Sequence, residues 1–234
     1  EMLLSSSLTA EQREYAEMAH DAGQTLLQQI NAILDYIEIE TGSTQPQRLP
    51  FDPTAQVELV GDLMKSRARS KELTLMTFCH PETPVRLYGD PERVRQVLEK
   101  LVDNALKFTA DGEVIVRVVP TTPPAEDAQV CELRFSVSDT GIGLAADADR
   151  WLFKPFTQAD ATSTRSYGGT GLGLATAKQW VTAMGGEIGA RANPGGGTVF
   201  WFTVPLDLPV DSNWRAAQVG VARRENLAGL RVLV

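Results

Sequence analysis

The stretch SYGGTGLGLATAKQW, Ser166 to Trp180, places four glycines between Gly168 and Gly173 and then runs into a helix-forming sequence. Glycine costs about 1 kcal/mol relative to alanine inside a helix and loses more backbone entropy on folding than any other residue. Such a density at a helix entrance implies that something must approach the backbone closely. Glycine-rich turns ahead of helices commonly hold phosphates, because free N–H groups and the helix dipole both favour anions. Two familiar versions do not fit. A P-loop needs Gly-Lys-Ser/Thr, whereas Gly171-Leu172-Gly173 continues as Leu174-Ala175. A dinucleotide fingerprint follows directly on a strand, whereas the polar run FTQADATSTRSY precedes these glycines. Taken alone, the stretch fits a flexible loop capping a helix equally well.

The surrounding chain supplies the frame. Thr9, with Gln12 three residues on, makes a capping-box pattern. From there Tyr15, Ala19, Ala22, Leu26, Ile30, Ile33 and Ile37 recur in alternating steps of three and four, a heptad seam. One helix cannot bury such a seam by itself; it lies on its own domain or in an intermolecular bundle. Pro53 to Arg69 reads as a helix and LTLMTFC as a short strand. A long helix enters at Asp90-Pro91 with Val94, Val97, Leu98, Leu101, Ala105 and Leu106 on one face. GEVIVRVVP, ELRFSVSD, EIGARA and GTVFWFTVPL read as strands. Helices interleaved with hairpin-like strands predict an α/β sandwich, a mixed sheet with helices on one face. The polar run 211–226 reads as a linker, and LAGLRVLV as an apolar strand that stops abruptly.

Three segments carry chemistry beside the glycines. SDTGIGL sets Asp139 at a strand end before Gly141, Ile142 and Gly143; a carboxylate only accepts hydrogen bonds and suits an exocyclic amine such as that of adenine. The glycines there leave room for a flat ring. LVDNALKFT offers Asn104 as an oxygen ligand and Lys107 as a point charge near the end of the long helix, and Mg²⁺ beside phosphates needs few protein ligands. LFKPFTQAD brings Phe153 and Phe156, aromatics that core packing alone would explain.

In this order the segments LVDNALKFT, SDTGIGL, LFKPFTQAD and GGTGLGLA resemble the N, G1, F and G2 boxes of the sensor histidine kinases. The resemblance implies a Bergerat-type ATP-binding sandwich over residues 44–208. It implies ATP contacts at Asn104, Lys107, Phe108, Asp139, Gly141, Ile142, Gly143, Arg165, Gly169, Thr170, Gly171, Leu172, Gly173 and Leu174, with Asn104 on Mg²⁺. The loop from Gln158 to Gly169 would be the ATP lid. Residues 1–43 are similar to the end of the first and the whole second helix of a dimerisation and phosphoacceptor hairpin. Residues 209–226 then form a linker, and 227–234 look like the first strand of a receiver domain. The implied parent is a hybrid kinase, homodimeric and anchored in the bacterial inner membrane, with this region cytoplasmic. Its partners would be its own hairpin and receiver, and a response regulator or phosphotransfer protein.

Two departures stand out. The family's phosphoacceptor histidine is followed by an acidic residue and shortly by Pro; His20 and His80 are the two histidines here, and neither stands in that full context. The acceptor is therefore expected upstream of Glu1. Second, Lys100 stands where the family usually carries Asn, one turn before Asn104. Its ammonium either meets phosphate or weakens metal binding. The missing water-activating Glu of related ATPases argues against a hydrolase. A nucleotide-binding module that regulates another kinase is the alternative function. A net charge of −8 argues against a nucleic-acid surface. Cys79 and Cys131, each in an apolar run, read as buried free thiols. No run reaches the roughly 20 apolar residues of a membrane span, and the first residues form no signal peptide.

Overall fold

The fold is given by a computed structural model that describes Ser6 and residues 8–41, 45–125, 128–145, 147–157 and 171–209. Helix α1 (Ala10–Glu40) begins as its sequence dictates. The Gln12 N–H donates to Thr9 Oγ1 at 3.3 Å, and the Thr9 N–H donates back to Gln12 Oε1 at 3.1 Å. Its seam stays open: Tyr15, Leu26, Ile30, Ile33 and Ile37 are 41–59% exposed. Only near its end does the helix settle on the body of the protein, where Ile39 packs against the core.

Among the described residues the body alternates strands with three helices: β1 (Leu49–Phe51), α2 (Pro53–Ser70), β2 (Thr74–Cys79), β3 (Leu87–Gly89), α3 (Pro91–Phe108), β4 (Glu113–Pro120), β5 (Val130–Asp139), α4 (Gly173–Ala183), β6 (Ile188–Ala192) and β7 (Thr198–Asp207). The seven strands of the described residues form one open sheet in the order β1-β3-β7-β5-β4-β2, with β6 beside β7. The β2–β4 pair is parallel and every other pair antiparallel. Along β4 and β5 the residues alternate. Val114, Val116, Val118, Leu133, Phe135 and Val137 are buried under the helices, while Glu132 and Arg134 face outward. The expected mixed sheet with helices on one face is therefore the architecture found.

Helix α3 holds this layer together. Asp90 caps it by accepting from the Arg93 N–H at 3.0 Å, and Pro91 occupies its first turn. All six apolar positions expected on its inner face are buried, and Val102 joins them. Each valine and leucine among them contributes about 1.5–3 kcal/mol when fully removed from water. Across the sheet, Phe135 of β5 and Phe202 of β7 stand opposite each other with ring centroids 4.9 Å apart. At the far end of α3, the Thr109 hydroxyl donates to the Ala105 carbonyl at 2.7 Å and closes the last turn. Both cysteines are free thiols; Cys131 is buried and its pKa is pushed up to about 11 by desolvation. The strands β1 and β3 are additions to the sequence reading. The proposed linker beyond residue 209 and the strand 227–234 lie outside the described residues.

Candidate functional site

Asp139 ends β5, only 3% exposed. Register explains its surroundings: Ser138 pairs with Val199, so Asp139 stands beside the start of β7. There the Thr198 N–H donates to Asp139 Oδ1 at 3.0 Å, and the Gly141 N–H reaches the same oxygen at 2.9 Å. The Asn193 side-chain amide donates to the Asp139 main-chain carbonyl at 3.0 Å. Among the described residues Oδ2 accepts nothing, which leaves it available to an outside donor. Burial raises the carboxyl pKa above its ordinary value, opposed by the Gly141 and Thr198 N–H groups. Sequence reasoning missed Asn193, Gly197 and Thr198. The signal was the run Gly195-Gly196-Gly197 between two strands, more glycine than a tight turn demands. A β carbon on Gly197 would stand 2.6 Å from the Asp139 carbonyl carbon and 2.8 Å from Oδ1.

The site glycines divide by what crowds them. A β carbon on Gly141 would stand 2.9 Å from the carbonyl carbon of Phe108, so the end of α3 fills that side rather than a ring. The neighbouring Ile142 N–H donates to the same Phe108 carbonyl at 3.3 Å. Gly171 has φ +68°, left-handed backbone that side-chain-bearing residues rarely adopt, and a β carbon there would stand 2.9 Å from the Phe156 carbonyl carbon. Its carbonyl accepts from the Phe156 N–H at 3.1 Å. Gly173 differs. Its nearest neighbour would be Lys100 Cδ at 3.7 Å, so nothing in the described fold requires the side chain to be missing there. Gly173 opens α4, whose start carries no side-chain cap.

On α3, Asn104 is half-buried and its amide makes no hydrogen bond among the described residues. That leaves an oxygen donor free for a cation, although no cluster of three His, Cys, Asp or Glu able to hold a metal occurs among those residues. Burial lowers the Lys107 pKa, with Asp103 opposing and Arg67 adding, and its ammonium lies 5.0 Å from the Phe108 ring centre.

Close approaches gather the four sequence segments. Phe108 meets Gly141 and Ile142, Phe156 meets Gly171, and Lys100, the residue just before LVDNALKFT, reaches the start of α4 at Gly173. Not every expected side chain is exposed. Leu172 is 1% exposed and belongs to the core, and Leu174 packs against it, so both side chains are engaged in packing. Ile142, in contrast, is 83% exposed. Phe153 packs on the core and Phe156 is exposed with φ +61°. Arg165, Gly169, Thr170 and the whole expected lid from Gln158 to Gly169 lie outside the described residues.

An open mixed sheet under three helices, with a buried carboxylate and glycine turns at one end, defines a nucleotide-binding sandwich of the Bergerat type. The chain belongs to the family described as histidine kinase-, DNA gyrase B-, and HSP90-like ATPases, whose profile matches residues 89–208. Sensor protein GacS of Pseudomonas syringae pv. syringae is 40% identical over 205 residues, covering 88% of this chain and 22% of that protein. Hybrid signal transduction histidine kinase L of Dictyostelium discoideum is 40% identical over 215 residues, covering 91% of this chain and 12% of its own. The chain thus spans about a fifth or less of these relatives. Among solved structures, full-length ShkA in complex with AMPPNP superposes with a TM-score of 0.76 at 32% identity, over 90% of this chain and 42% of that one. No helix among the described residues is long and apolar enough to cross a membrane.

Proposed function

We propose that this chain is the ATP-binding catalytic region of a hybrid sensor histidine kinase, which passes the γ-phosphoryl of ATP to a histidine on a helical hairpin. The observation that carries the reading is Asp139: a buried carboxylate with one oxygen held by two backbone N–H groups and the other unused. That oxygen suits the adenine amine, which can only donate. Asn104 would hold Mg²⁺, which when bound neutralises phosphate charge. Lys107, Arg165 and the backbone from Gly169 to Gly173 would then lie along the phosphates, with Phe108, Gly141, Ile142 and Gly143 at the adenine end. Positioning and charge neutralisation supply most of the rate in such transfers.

The exposed seam of α1 fits residues 1–43 as part of a dimerisation hairpin joined to a catalytic domain over 44–208. In this reading 209–226 is a linker, 227–234 opens a receiver, and the parent is a membrane-anchored homodimer with a response regulator or phosphotransfer protein downstream. Neither histidine of the chain is its acceptor. His20 Nε2 lies 2.9 Å from Gln24 Nε2 on the helix, and His80 Nδ1 accepts from the Glu82 N–H at 3.2 Å. The acceptor belongs on the first hairpin helix, upstream of Glu1.

The test is labelling with γ-labelled ATP. The 234-residue chain binds nucleotide but takes no label, and an extension through the first hairpin helix becomes labelled with an acid-labile phosphate. Acid-labile label on His20 or His80 would refute the acceptor assignment. An extended chain that binds nucleotide and stays unlabelled would favour a regulatory module over a kinase.

A further inference from the structure

Lys100 stands one helical turn before Asn104 on α3, so the two residues share a helix face with β carbons about 6 Å apart. Its stem reaches the start of α4, where Lys100 Cδ lies 3.7 Å from the point a Gly173 β carbon would occupy. The side chain is exposed and makes no hydrogen bond or ion pair among the described residues. Its acidic neighbours on α3 are already engaged, Glu99 by Arg95 and Asp103 by Arg67. Among the described residues the Lys100 ammonium thus has no counter-charge, and its stem borders the first turn of α4, which carries no side-chain cap, next to the one described site glycine whose missing side chain the described fold does not explain.

We propose that Lys100 is a phosphate-binding cation of the nucleotide site that takes over part of the neutralisation otherwise left to the divalent ion, so that this chain holds nucleotide with a reduced dependence on Mg²⁺. The inference rests on the nucleotide reading above and adds a residue and a consequence to it. The physical reason is twofold. A lysine is a compact point charge that contacts phosphate without demanding planar geometry. The same charge also repels a cation bound at Asn104, because like charges this close interact strongly wherever water is partly excluded. Both effects act in one direction: nucleotide binds better without metal, and metal adds less to its affinity.

The experiment compares ATP and ADP affinities of the whole chain in excess Mg²⁺ and in EDTA by calorimetry, for wild type, Lys100→Met and Lys100→Arg. The readout is the ratio of the two dissociation constants, EDTA over Mg²⁺. In Lys100→Met this ratio rises about tenfold, chiefly because ATP binding in EDTA weakens, whereas Lys100→Arg keeps the wild-type ratio. Melting curves without nucleotide should coincide for all three chains, since the side chain is exposed. An unchanged ratio in Lys100→Met, with wild type binding normally, overturns the inference. So does an equal loss in both media, which would make Lys100 a phosphate contact with no bearing on the metal. A wild type that fails to bind nucleotide even in Mg²⁺ instead overturns the nucleotide site itself.

Discussion

Replacing Asp139 with Asn separates the role of this residue in the fold from its role toward a ligand. In the fold, the Gly141 and Thr198 N–H groups both donate to Oδ1, and an asparagine carbonyl can accept them in the same place. What the fold loses is a charge whose burial already raises the carboxyl pKa, so the nucleotide-free variant should match or exceed wild-type stability within about 1 kcal/mol. Toward the ligand the change is severe. At Oδ2 an acceptor becomes an –NH₂ donor, and the adenine amine is itself a donor. Losing a hydrogen bond to a charged acceptor costs about 1.5–3 kcal/mol, roughly ten- to a hundredfold in affinity. Nucleotide at 100 times the wild-type dissociation constant stabilises the native chain by about 2.7 kcal/mol; a variant a hundredfold weaker retains about 0.4 kcal/mol. The assay is thermal or urea unfolding of both chains with and without saturating ADP. A full ligand-induced shift in the variant refutes the adenine assignment. A nucleotide-free variant several degrees less stable shows that the charge, rather than the oxygen position, holds the loops.

Gly141→Ala and Gly173→Ala should diverge. The first forces a β carbon to 2.9 Å from the Phe108 carbonyl carbon and costs about 1–3 kcal/mol in urea unfolding. The second meets nothing closer than 3.7 Å, leaves stability unchanged or up to about 1 kcal/mol higher, and weakens nucleotide binding in calorimetry. Because the Asp139 carboxyl pKa is raised in the fold, the stability it contributes is present below the ordinary carboxylate range and lost as pH rises through the raised value. Ligand binding runs the opposite way: an amine donor prefers the ionised form, so ADP affinity falls on acidification through that window. Asp139→Asn should remove this pH slope, which calorimetry at a series of pH values below neutral would measure.

Much of the local architecture was legible in the chain alone. Thr9 with Gln12, and Asp90 followed by Pro91, mark helix starts because a cap is satisfied within three residues of itself. The α3 face from Val94 to Leu106 was readable because a 3.6-residue period forces those positions to one side. The order of LVDNALKFT, SDTGIGL, LFKPFTQAD and GGTGLGLA was enough to indicate the family. By contrast, β1 and β3 span three residues each, too few to display an alternation, and they exist only because the growing sheet offers them an edge.

The site itself was decided by pairing between distant segments. Asp139 takes its hydrogen bond from Thr198, 59 residues away, because the β5–β7 register brings them together, and register is a property of the whole sheet. The glycines looked alike in sequence, yet Gly141 yields to the end of α3, Gly171 to the backbone of Phe156, and Gly173 to nothing in the described fold. Residue type records that a side chain is absent; only the tertiary packing around each position shows whether the protein's own backbone or a ligand takes the space.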